Sequence, residues 1–340
     1  MILLTGATGQ LGSHLLYELT RAGKTVRALY RNENRVEVVK RIFSFYQPEY
    51  TGIFKKIEWF QADINDFHAL TESMRDVNVV YHTAGLVSFR NNDRKKLNHT
   101  NIEGTANVVN ACLEGNAKLY HVSSIAALGE STTNEPIDEN IIWNQGSAAS
   151  AYSISKFKGE MEVWRGIYEG LDAVIVNPSV IIGPGMSLGP GKQLFNSLLK
   201  GLKFYPSGSS GYVDVRDVAR IMVMLSESRI TGERFIVSAG NFPHRKVLSL
   251  LSEALNRPIP RIPLAPFLAK SAVIAESLRA ALTGIPPRIN RQTLRIAAEN
   301  LSYSNAKINN ALQLEFIPLE ESLKSSVKFF NFFNQSRVTF

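Results

Sequence analysis

Three glycines at intervals of three residues follow the first apolar run of the chain. The run "ILLT" at residues 2–5 is typical of a short buried strand, and Gly6, Gly9 and Gly12 lead from it into an amphipathic helical pattern. Such a turn needs glycine where φ is positive and where the backbone must lie close to a diphosphate. The helix that follows presents free N–H groups and a positive dipole end to that anion. The stretch therefore predicts a dinucleotide site. A simple turn is the alternative, because the spacing differs from G-x-G-x-x-G.

Short β-branched runs alternate with helical patterns through the first half of the chain. The runs "KTVRALY", "KIEWFQA", "VNVVYHTA", "AKLYHVSS" and "DAVIVNPS" are separated by an extra helix within residues 31–55 and by helices beginning near Phe67, Asn98 and Tyr152. This alternation predicts an α/β fold, a doubly wound Rossmann parallel sheet with helices on both faces. From about residue 240 the pattern becomes mostly helical, which indicates a smaller, mainly helical C-terminal substrate domain.

The domain limits follow from these patterns. We assign residues 1–178 to an NAD(P)-binding Rossmann domain, with a return segment at about 212–240, and residues 179–211 and 241–340 to the substrate-binding region. Asp214 and Asp217, inside the return segment, are expected to cap the helix that follows and to tie the two halves together.

Charge and cysteine content narrow the classes of partner and compartment. Lys and Arg number 38 against 30 for Asp and Glu, a formal charge of +8. The basic residues are scattered, so they fit a small anionic ligand as well as nucleic acid, and we expect no nucleic-acid partner. The single cysteine, Cys112, excludes an internal disulfide and is expected in the core. Neither it nor the histidines have ligand spacing, so no metal site is predicted.

The start of the chain and its most apolar late stretch bear on location. Met1 leads directly into a strand without the basic region of a secretory signal, so a cytoplasmic protein is expected. Residues 263–282 are interrupted by Lys270, Glu276 and Arg279 and fall short of the ~18 uninterrupted apolar residues of a membrane span. We expect a packed helix there and no membrane span.

The end of the second predicted strand bears on the choice of cofactor. An acidic residue about 20 positions after the glycines binds the ribose hydroxyls of NAD, whereas a basic residue there accommodates the 2′-phosphate of NADP. Arg31 holds that place, with Arg27 and Arg35 nearby, and a guanidinium matches phosphate geometry. We expect NADP(H), with NAD(H) as the alternative. Asp63, after the third strand, either accepts a hydrogen bond from an adenine amine or caps the next helix.

A tyrosine and a lysine four residues apart could supply acid/base chemistry. Tyr152 and Lys156 lie on one face of a predicted helix. A phenol with a pKa of about 10 is a poor acid or base at neutral pH unless a nearby cation favours its phenolate, and Lys156 is such a cation. Ser123 and Ser124 end a strand at the carboxyl edge of the sheet, where ligands of such folds bind. A hydroxyl there could hold a carbonyl oxygen while Tyr152 exchanges a proton with it.

In this order, the motifs resemble those of a known family. "TGATGQLG", "ADIND", "YHTAG", "NIEGTANVV", "VSSIAALG", "YSISK" and "NPSVIIGPG" are similar to the motifs of the extended short-chain dehydrogenase/reductase family over about residues 1–240. The resemblance implies that Tyr152 is the general acid/base, that Lys156 binds the nicotinamide ribose and lowers the tyrosine pKa, and that Ser124 orients the substrate oxygen. It implies cofactor contacts for a longer series: Gly6, Thr8, Gly9, Gln10, Leu11, Gly12, Arg31, Asp63, Ile64, Thr83, Ala84, Gly85, Asn101, Ser123, Pro178, Ser179 and Val180.

The family resemblance leaves the reaction open, because its members reduce, oxidise, epimerise or dehydrate. No arginine precedes "YVDVRDVA", where sugar-nucleotide enzymes usually carry one, and Ile125 and Ala126 stand where dehydratases have acids. The chain also looks like the dihydroflavonol reductase and 3β-hydroxysteroid dehydrogenase branch. We therefore expect an NAD(P)-dependent oxidoreductase that acts on a ketone, aldehyde or secondary alcohol. A nucleotide-sugar epimerase or dehydratase and a non-catalytic cofactor-sensing protein are the alternatives.

The resemblance also bears on assembly. Members of the family often pair through a four-helix interface, here built from the helices that begin near Asn98 and Tyr152. A homodimer is therefore expected.

Overall fold

The fold is described from a computed structural model of the chain. It describes residues 1–129, 135–143, 149–189, 191–265 and 291–335, together with the single positions 271, 273, 276 and 279. Most of the apolar stretch at 263–282, for which the sequence predicts a packed helix, lies outside the described residues.

The strands form one large sheet and two small ones. In chain order they are β1 (Ile2–Thr5), β2 (Val26–Tyr30), β3 (Ile57–Gln61), β4 (Val79–His82), β5 (Lys118–Val122), β6 (Ala173–Pro178), β7 (Val180–Ile182), β8 (Phe204–Tyr205), β9 (Ser209–Asp214), β10 (Glu233–Val237), β11 (Gly240–Pro243) and β12 (Ile262–Pro263). The large sheet has seven parallel strands in the order β3-β2-β1-β4-β5-β6-β10. Its order reverses at β1, which confirms the doubly wound Rossmann topology predicted from the sequence.

The helices alternate with these strands. In chain order they are α1 (Gln10–Arg21), α2 (Val36–Tyr46), α3 (Thr51–Phe54), α4 (Phe67–Ser73), α5 (Arg94–Asn98), α6 (Gly104–Glu114), α7 (Ala151–Tyr168), α8 (Lys192–Leu199), α9 (Val215–Glu227), α10 (His244–Ala254), α11 (Arg291–Ala298), α12 (Ala306–Leu312) and α13 (Leu319–Gln335). The helix expected near Asn98 begins at Arg94 and passes through a π-helical turn at His99–Glu103. The extra helix expected within residues 31–55 is two helices, α2 and α3.

Each face of the large sheet is covered by its own helices. On one face, Leu15 of α1 and Val218 of α9 are fully buried in a core with Tyr120 of β5. On the other, Cys112 of α6 and Val163 of α7 pack with strand residues of opposite orientation. Successive residues of a strand point to opposite faces, so strands buried on both sides are almost wholly apolar. The buried position of Cys112 confirms its assignment to the core.

The second half of the chain builds a smaller unit beside the carboxyl ends of the large sheet. Strands β7, β9 and β11 form a three-stranded sheet, with β7 parallel and β11 antiparallel to β9. Asp214, at the end of β9, caps α9 by accepting a hydrogen bond from the Arg216 N–H at 2.8 Å. Asp217 instead accepts one from the N–H of Ile317 at 2.8 Å. Asp214 also accepts a hydrogen bond from Ser322 Oγ of α13 at 2.5 Å. Asp214 therefore both caps α9 and ties the two halves together, whereas Asp217 contributes only to the tie.

The last helices pack on the Rossmann part as well as on the smaller unit. Ile308 of α12 is fully buried in the core of the large sheet. Phe329 of α13 is fully buried against Ile42 of α2, while Leu323 of the same helix packs in the core of the smaller unit. The domain limits assigned from the sequence stay a prediction. Helical periodicity indicates that these segments have an apolar face but not which surface covers it.

Candidate active site

The turn between β1 and α1 brings backbone segments together where side chains would not fit. Gly6 has a φ of +70°, and a Cβ there would lie 2.5 Å from the backbone nitrogen of Ala84. A Cβ on Gly12 would collide with the carbonyl oxygen of Gly6. Gly9 precedes α1 without any side-chain cap, so the first N–H groups of that helix have no side-chain acceptor. This cradle suits the diphosphate of a dinucleotide.

A cavity of about 800 Å³ extends from this turn to the predicted catalytic residues. Ser124, Tyr152 and Lys156 line it together with Arg35, which the sequence indicates only as a neighbour of Arg31. The predicted cofactor-binding residues on its lining are Gly6, Thr8, Gly9, Gln10, Leu11, Gly12, Thr83, Gly85, Ser123, Pro178, Ser179 and Val180. The continuous cavity therefore joins the glycine turn to the Tyr152 hydroxyl.

Two predicted cofactor residues form an exposed ion pair away from this lining. Arg31 Nη1 lies 3.3 Å from Asp63 Oδ2, with side chains 66% and 39% exposed. Burial would raise the pKa of Asp63, but hydrogen bonds from Asn65 and the charge of Arg31 outweigh it and hold the pKa below its ordinary value. The next helix, α4, is capped by Asp66, which accepts from the Ala69 N–H at 3.1 Å. The proposal that Asp63 caps that helix is therefore wrong.

Ile64 and Ala84, also predicted to contact the cofactor, are engaged in packing. The Ile64 side chain is buried, and a Cβ on Gly104 of α6 would lie 2.6 Å from it. Ile64 therefore fills the space between the β3 end and α6 rather than the cavity. Ala84 donates its N–H to Thr5 Oγ1 at 3.3 Å and lies against Gly6.

Asn101 sits in the π-helical turn and clamps two segments of the site. Its Nδ2 donates to the Leu86 carbonyl at 3.0 Å and to Ser155 Oγ at 2.9 Å, while its Oδ1 accepts from the Leu86 N–H at 2.7 Å. The side chain is 3% exposed. A Cβ on Gly159 would collide with the Asn101 carbonyl oxygen, so glycine allows α7 to approach this turn. Asn101 thus positions the strand-end segment that carries Gly85 and Leu86.

Helix α7, which carries Tyr152, begins immediately before that residue. Ser150 caps α7 in a reciprocal capping box with Ser153, which places Tyr152 in the first turn at the cavity. Burial raises the pKa of Tyr152, and a hydrogen bond with the Ser124 side chain lowers it in part. The sequence predicts that the hydroxyls of Ser124 and Tyr152 contact the same substrate oxygen, and this hydrogen bond brings the two hydroxyls together.

Lys156 lies one turn later and points at the sheet. Its Nζ donates to the Val122 carbonyl at 3.0 Å, and burial lowers its pKa to about 8, opposed by the charge of Glu160. The ribose-binding and pKa-lowering role of Lys156 stays a prediction.

Ser123 shares the strand end with Ser124, but its hydroxyl faces the protein interior. Ser123 Oγ donates to Glu160 Oε2 at 2.6 Å, and the residue is 5% exposed. Successive strand residues point to opposite sides, which separates these neighbouring serines. The predicted cofactor contact of Ser123 would therefore involve its backbone and not its hydroxyl.

Beyond the glycine turn and the Ser124–Tyr152 pair, the cavity lining forms a mostly apolar wall. The centroid of the Phe89 ring lies 5.4 Å from the centroid of the Tyr152 ring. Arg295 and Glu299 are polar exceptions and pair with each other at 3.3 Å. The apolar lining residues of this wall include Val87, Phe89, Leu128, Ile137, Trp143, Leu194, Ile296 and Leu301.

Sequence reasoning did not single out any residue of this wall. Val87 and Phe89 lie two and four residues after the "YHTAG" motif, so their chain position could have indicated them. Nothing local to the sequence indicates Ile296 or Leu301, because they reach the cavity only through the packing of the second half.

The described part of the chain contains neither a candidate metal site nor a candidate membrane-spanning helix. No cluster of three or more His, Cys, Asp or Glu residues among the described residues could hold a metal ion. No described helix has both the length and the apolar character needed to cross a bilayer.

The sequence profile of the NAD dependent epimerase/dehydratase family matches residues 2–238. The chain belongs to this family. A relative from Synechocystis sp., provisionally named dihydroflavonol 4-reductase, is 27% identical over 96% of this chain and 93% of its own length. Tetraketide alpha-pyrone reductase 2 of Arabidopsis thaliana is 30% identical over 73% of this chain and 81% of its own. The structure of yeast methylglyoxal/isovaleraldehyde reductase Gre2 with NADPH has a TM-score of 0.74 at 22% identity, covering 98% and 99% of the two chains.

Family membership confirms the resemblance seen in the motifs. This member of the epimerase/dehydratase family is an NAD(P)-dependent oxidoreductase of the extended short-chain dehydrogenase/reductase type. Both relatives are named as reductases.

Proposed function

We propose that this protein interconverts a bulky, largely apolar ketone or aldehyde and the corresponding alcohol, with NADP(H) as its favoured cofactor. One observation carries the proposal. A single cavity joins the uncapped N-terminus of α1, the Ser124–Tyr152 hydroxyl pair and a mostly apolar wall. Apolar walls with a few convergent polar groups are typical of sites for such ligands.

The residues divide the work by their positions. A substrate carbonyl oxygen placed between the hydroxyls of Ser124 and Tyr152 would accept a hydrogen bond from each. In the reducing direction the proton on Tyr152 Oη passes to that oxygen, and Ser124 keeps the oxygen in place. A bound nicotinamide dinucleotide would supply or accept the hydride at the substrate carbon. Tyr152 is 9% exposed, so bulk water has little access to the proton.

The Tyr152→Phe variant tests this assignment. Turnover of carbonyl compounds, followed by NADPH and NADH absorbance across a substrate panel, should fall by more than about 100-fold. Dinucleotide affinity should stay within about twofold, because the phenol does not line the glycine turn. Tyr168→Phe is the matched control on the same helix, since Tyr168 is 91% exposed. A Tyr152→Phe variant as active as the parent would contradict the proposal.

The preference for NADP(H) rests on two arginines that follow β2. Arg31 directly follows β2 and has a side chain 66% exposed, and Arg35 lines the cavity with Nη2 3.4 Å from the Thr8 carbonyl. Arg27 is excluded from this role, because it donates to Glu58 and to the carbonyls of Ser73 and Arg75. A guanidinium on the cavity lining and a second, exposed one at the end of β2 would favour the 2′-phosphate.

Replacement of Arg31 separates the two cofactors. Arg31→Asp should lower kcat/KM with NADPH by more than about tenfold while leaving or improving kcat/KM with NADH. Lys24→Asp makes the same charge change at the other end of β2 and should leave the ratio unchanged. Equal use of NADPH and NADH by the parent, or an unchanged ratio in Arg31→Asp, would refute the preference.

Assembly and location extend the proposal. A homodimer formed through the helices around α6 and α7 would cover the exposed apolar parts of Met161 and Tyr168, which are 36% and 91% exposed. The only cysteine is buried and unpaired, which suits the reducing cytoplasm. Light scattering of the purified protein should give twice the chain mass of 37.8 kDa, and a monomer at all concentrations would contradict the dimer.

A further inference from the structure

A buried ion pair joins the catalytic helix to the edge strand of the large sheet. Glu160, one helical turn after Lys156, is fully buried, and Arg234 Nη1 of β10 lies 3.1 Å from its Oε1. The Arg234 side chain is 15% exposed. Desolvation of two charges offsets most of their attraction, so net stability is a weak reason for such a pair. Its hydrogen-bond partners indicate a different reason.

One side of the pair reaches the catalytic serine. Glu160 Oε2 accepts from Ser123 Oγ at 2.6 Å and from Asn177 Nδ2 at 2.7 Å. Asn177 is fully buried and also donates to the Ser124 carbonyl at 3.0 Å. The backbone at Ser123 and Ser124 is therefore tied to one carboxylate oxygen on the helix that carries Tyr152.

The other side of the pair reaches the wall of the cavity. Arg234 Nη2 donates to the Glu139 carbonyl at 2.6 Å and to the Ile141 carbonyl at 3.1 Å. Glu139 Oε1 in turn accepts from the Ile236 N–H at 2.7 Å. These carbonyls belong to residues 137–143, which include Ile137 and Trp143 of the cavity wall.

We infer that Glu160 and Arg234 are positioning residues. Within this one ion pair, Glu160 fixes the position of the catalytic Ser124 hydroxyl, and Arg234 fixes the position of the substrate-binding wall. The Glu160 side holds Ser124 opposite Tyr152, so it acts on the chemical step. The Arg234 side holds residues 137–143, so it acts on substrate binding. Displacements of about 1 Å at a reacting group cost large factors in rate. The inference rests on the proposed function, because it assumes catalysis at Ser124 and Tyr152.

Two variants address the two sides in turn. Asn177→Leu removes the tie to Ser124 and leaves the Glu160–Arg234 pair, so kcat should fall about tenfold with the substrate KM within about twofold. Arg234→Lys keeps the charge but offers a single nitrogen in place of the three guanidinium nitrogens that donate to the two carbonyls and to Glu160, so the substrate KM should rise about fivefold with kcat within about threefold. A purely structural role would move both parameters together or neither.

Trp164→Phe is the matched control. Trp164 Nε1 contacts the same carboxylate at 3.4 Å but leads neither to Ser124 nor to residues 137–143, so both kinetic parameters should stay at parent values. Thermal unfolding and NADPH binding, measured for each variant, establish the folded fraction. Should Asn177→Leu fail to fold, Ser123→Ala removes the other tie to Glu160 and should lower kcat by about threefold at unchanged KM.

The results separate this inference from the proposed function. Equal changes in kcat and KM in the folded variants, or parent kinetics in Asn177→Leu and Arg234→Lys, would overturn the inference. If Tyr152→Phe is inactive in the same experiment, the proposed function stands in either case. If Tyr152→Phe keeps parent turnover, the proposed function itself fails.

Discussion

The buried ammonium of Lys156 should make the cofactor-free protein less stable at neutral pH than a variant without it. The residue is 7% exposed, and burial lowers its pKa from 10.5 to about 8 even though the charge of Glu160 opposes the fall. His82 and His121 face it from β4 and β5. Burial lowers the pKa of both imidazoles, so they stay neutral above about pH 7 and add no slope there.

The sign and size of the effect follow from the two protonation states. Between pH 8 and 10.5 the unfolded chain keeps the lysine proton that the native chain releases, so native stability rises with pH through that window. A shift of this size corresponds to a cost of about 3 kcal/mol at neutral pH. Loss of the hydrogen bond from Nζ to the Val122 carbonyl lowers the free energy of unfolding by about 1 kcal/mol, which offsets part of this gain. Lys156→Met should therefore raise the free energy of unfolding by about 2 kcal/mol at pH 7.

Denaturant unfolding at several pH values measures this difference. The advantage of Lys156→Met over the parent should shrink as the pH rises from 8, and should approach zero by about pH 9.5. Lys158→Met is the matched control, because Lys158 is exposed on the same helix and should show no such pH dependence. A Lys156→Met variant that is less stable than the parent at pH 7, or a difference that does not change with pH, would refute the reasoning.

Two further substitutions examine the cradle and the last helix. Gly12→Ala should weaken dinucleotide binding, measured by fluorescence titration, by more than about tenfold, because its Cβ would collide with the Gly6 carbonyl. Gly52→Ala, with nothing within 4 Å of its Cβ, should bind as the parent does, and tight binding by Gly12→Ala would contradict the cradle. Phe329→Ala should cost about 3 kcal/mol of unfolding free energy, because the ring is fully buried between α2 and α13. The half-buried Phe332→Ala should cost less than half of that, and equal losses would show that α13 does not dock through Phe329.

Asp63 and Asp66, which follow β3, show how much of a side chain's role local sequence patterns can predict. The sequence places a carboxylate at the strand end and leaves capping and cofactor contact equally open for Asp63. The structure gives the cap to Asp66 and pairs Asp63 with Arg31. Caps depend on the residue at which the helix begins, and periodic patterns place that residue only to within a few positions.

The residues of the substrate wall and the hydrogen-bond network of Glu160 could not be predicted from the sequence, for a different reason. Arg234 meets Glu160 across 74 residues and Glu139 across 95. No spacing rule relates residues so far apart, and a buried arginine looks the same in sequence as a solvated one. The one local indication of this network was the position of Glu160, one turn after Lys156 on the same helix face.

By itself, the amino-acid sequence determined the parallel doubly wound sheet, the glycine turn and the shared face of Tyr152 and Lys156. These depend on periodicities of two and 3.6 residues and on local backbone sterics, all of which act within a few residues. Tertiary structure alone decided that the Ser124 hydroxyl meets Tyr152 while that of Ser123 meets Glu160, and that α13 docks on α2. Those contacts depend on how separately formed elements fill a common volume, and packing is a property of the whole chain.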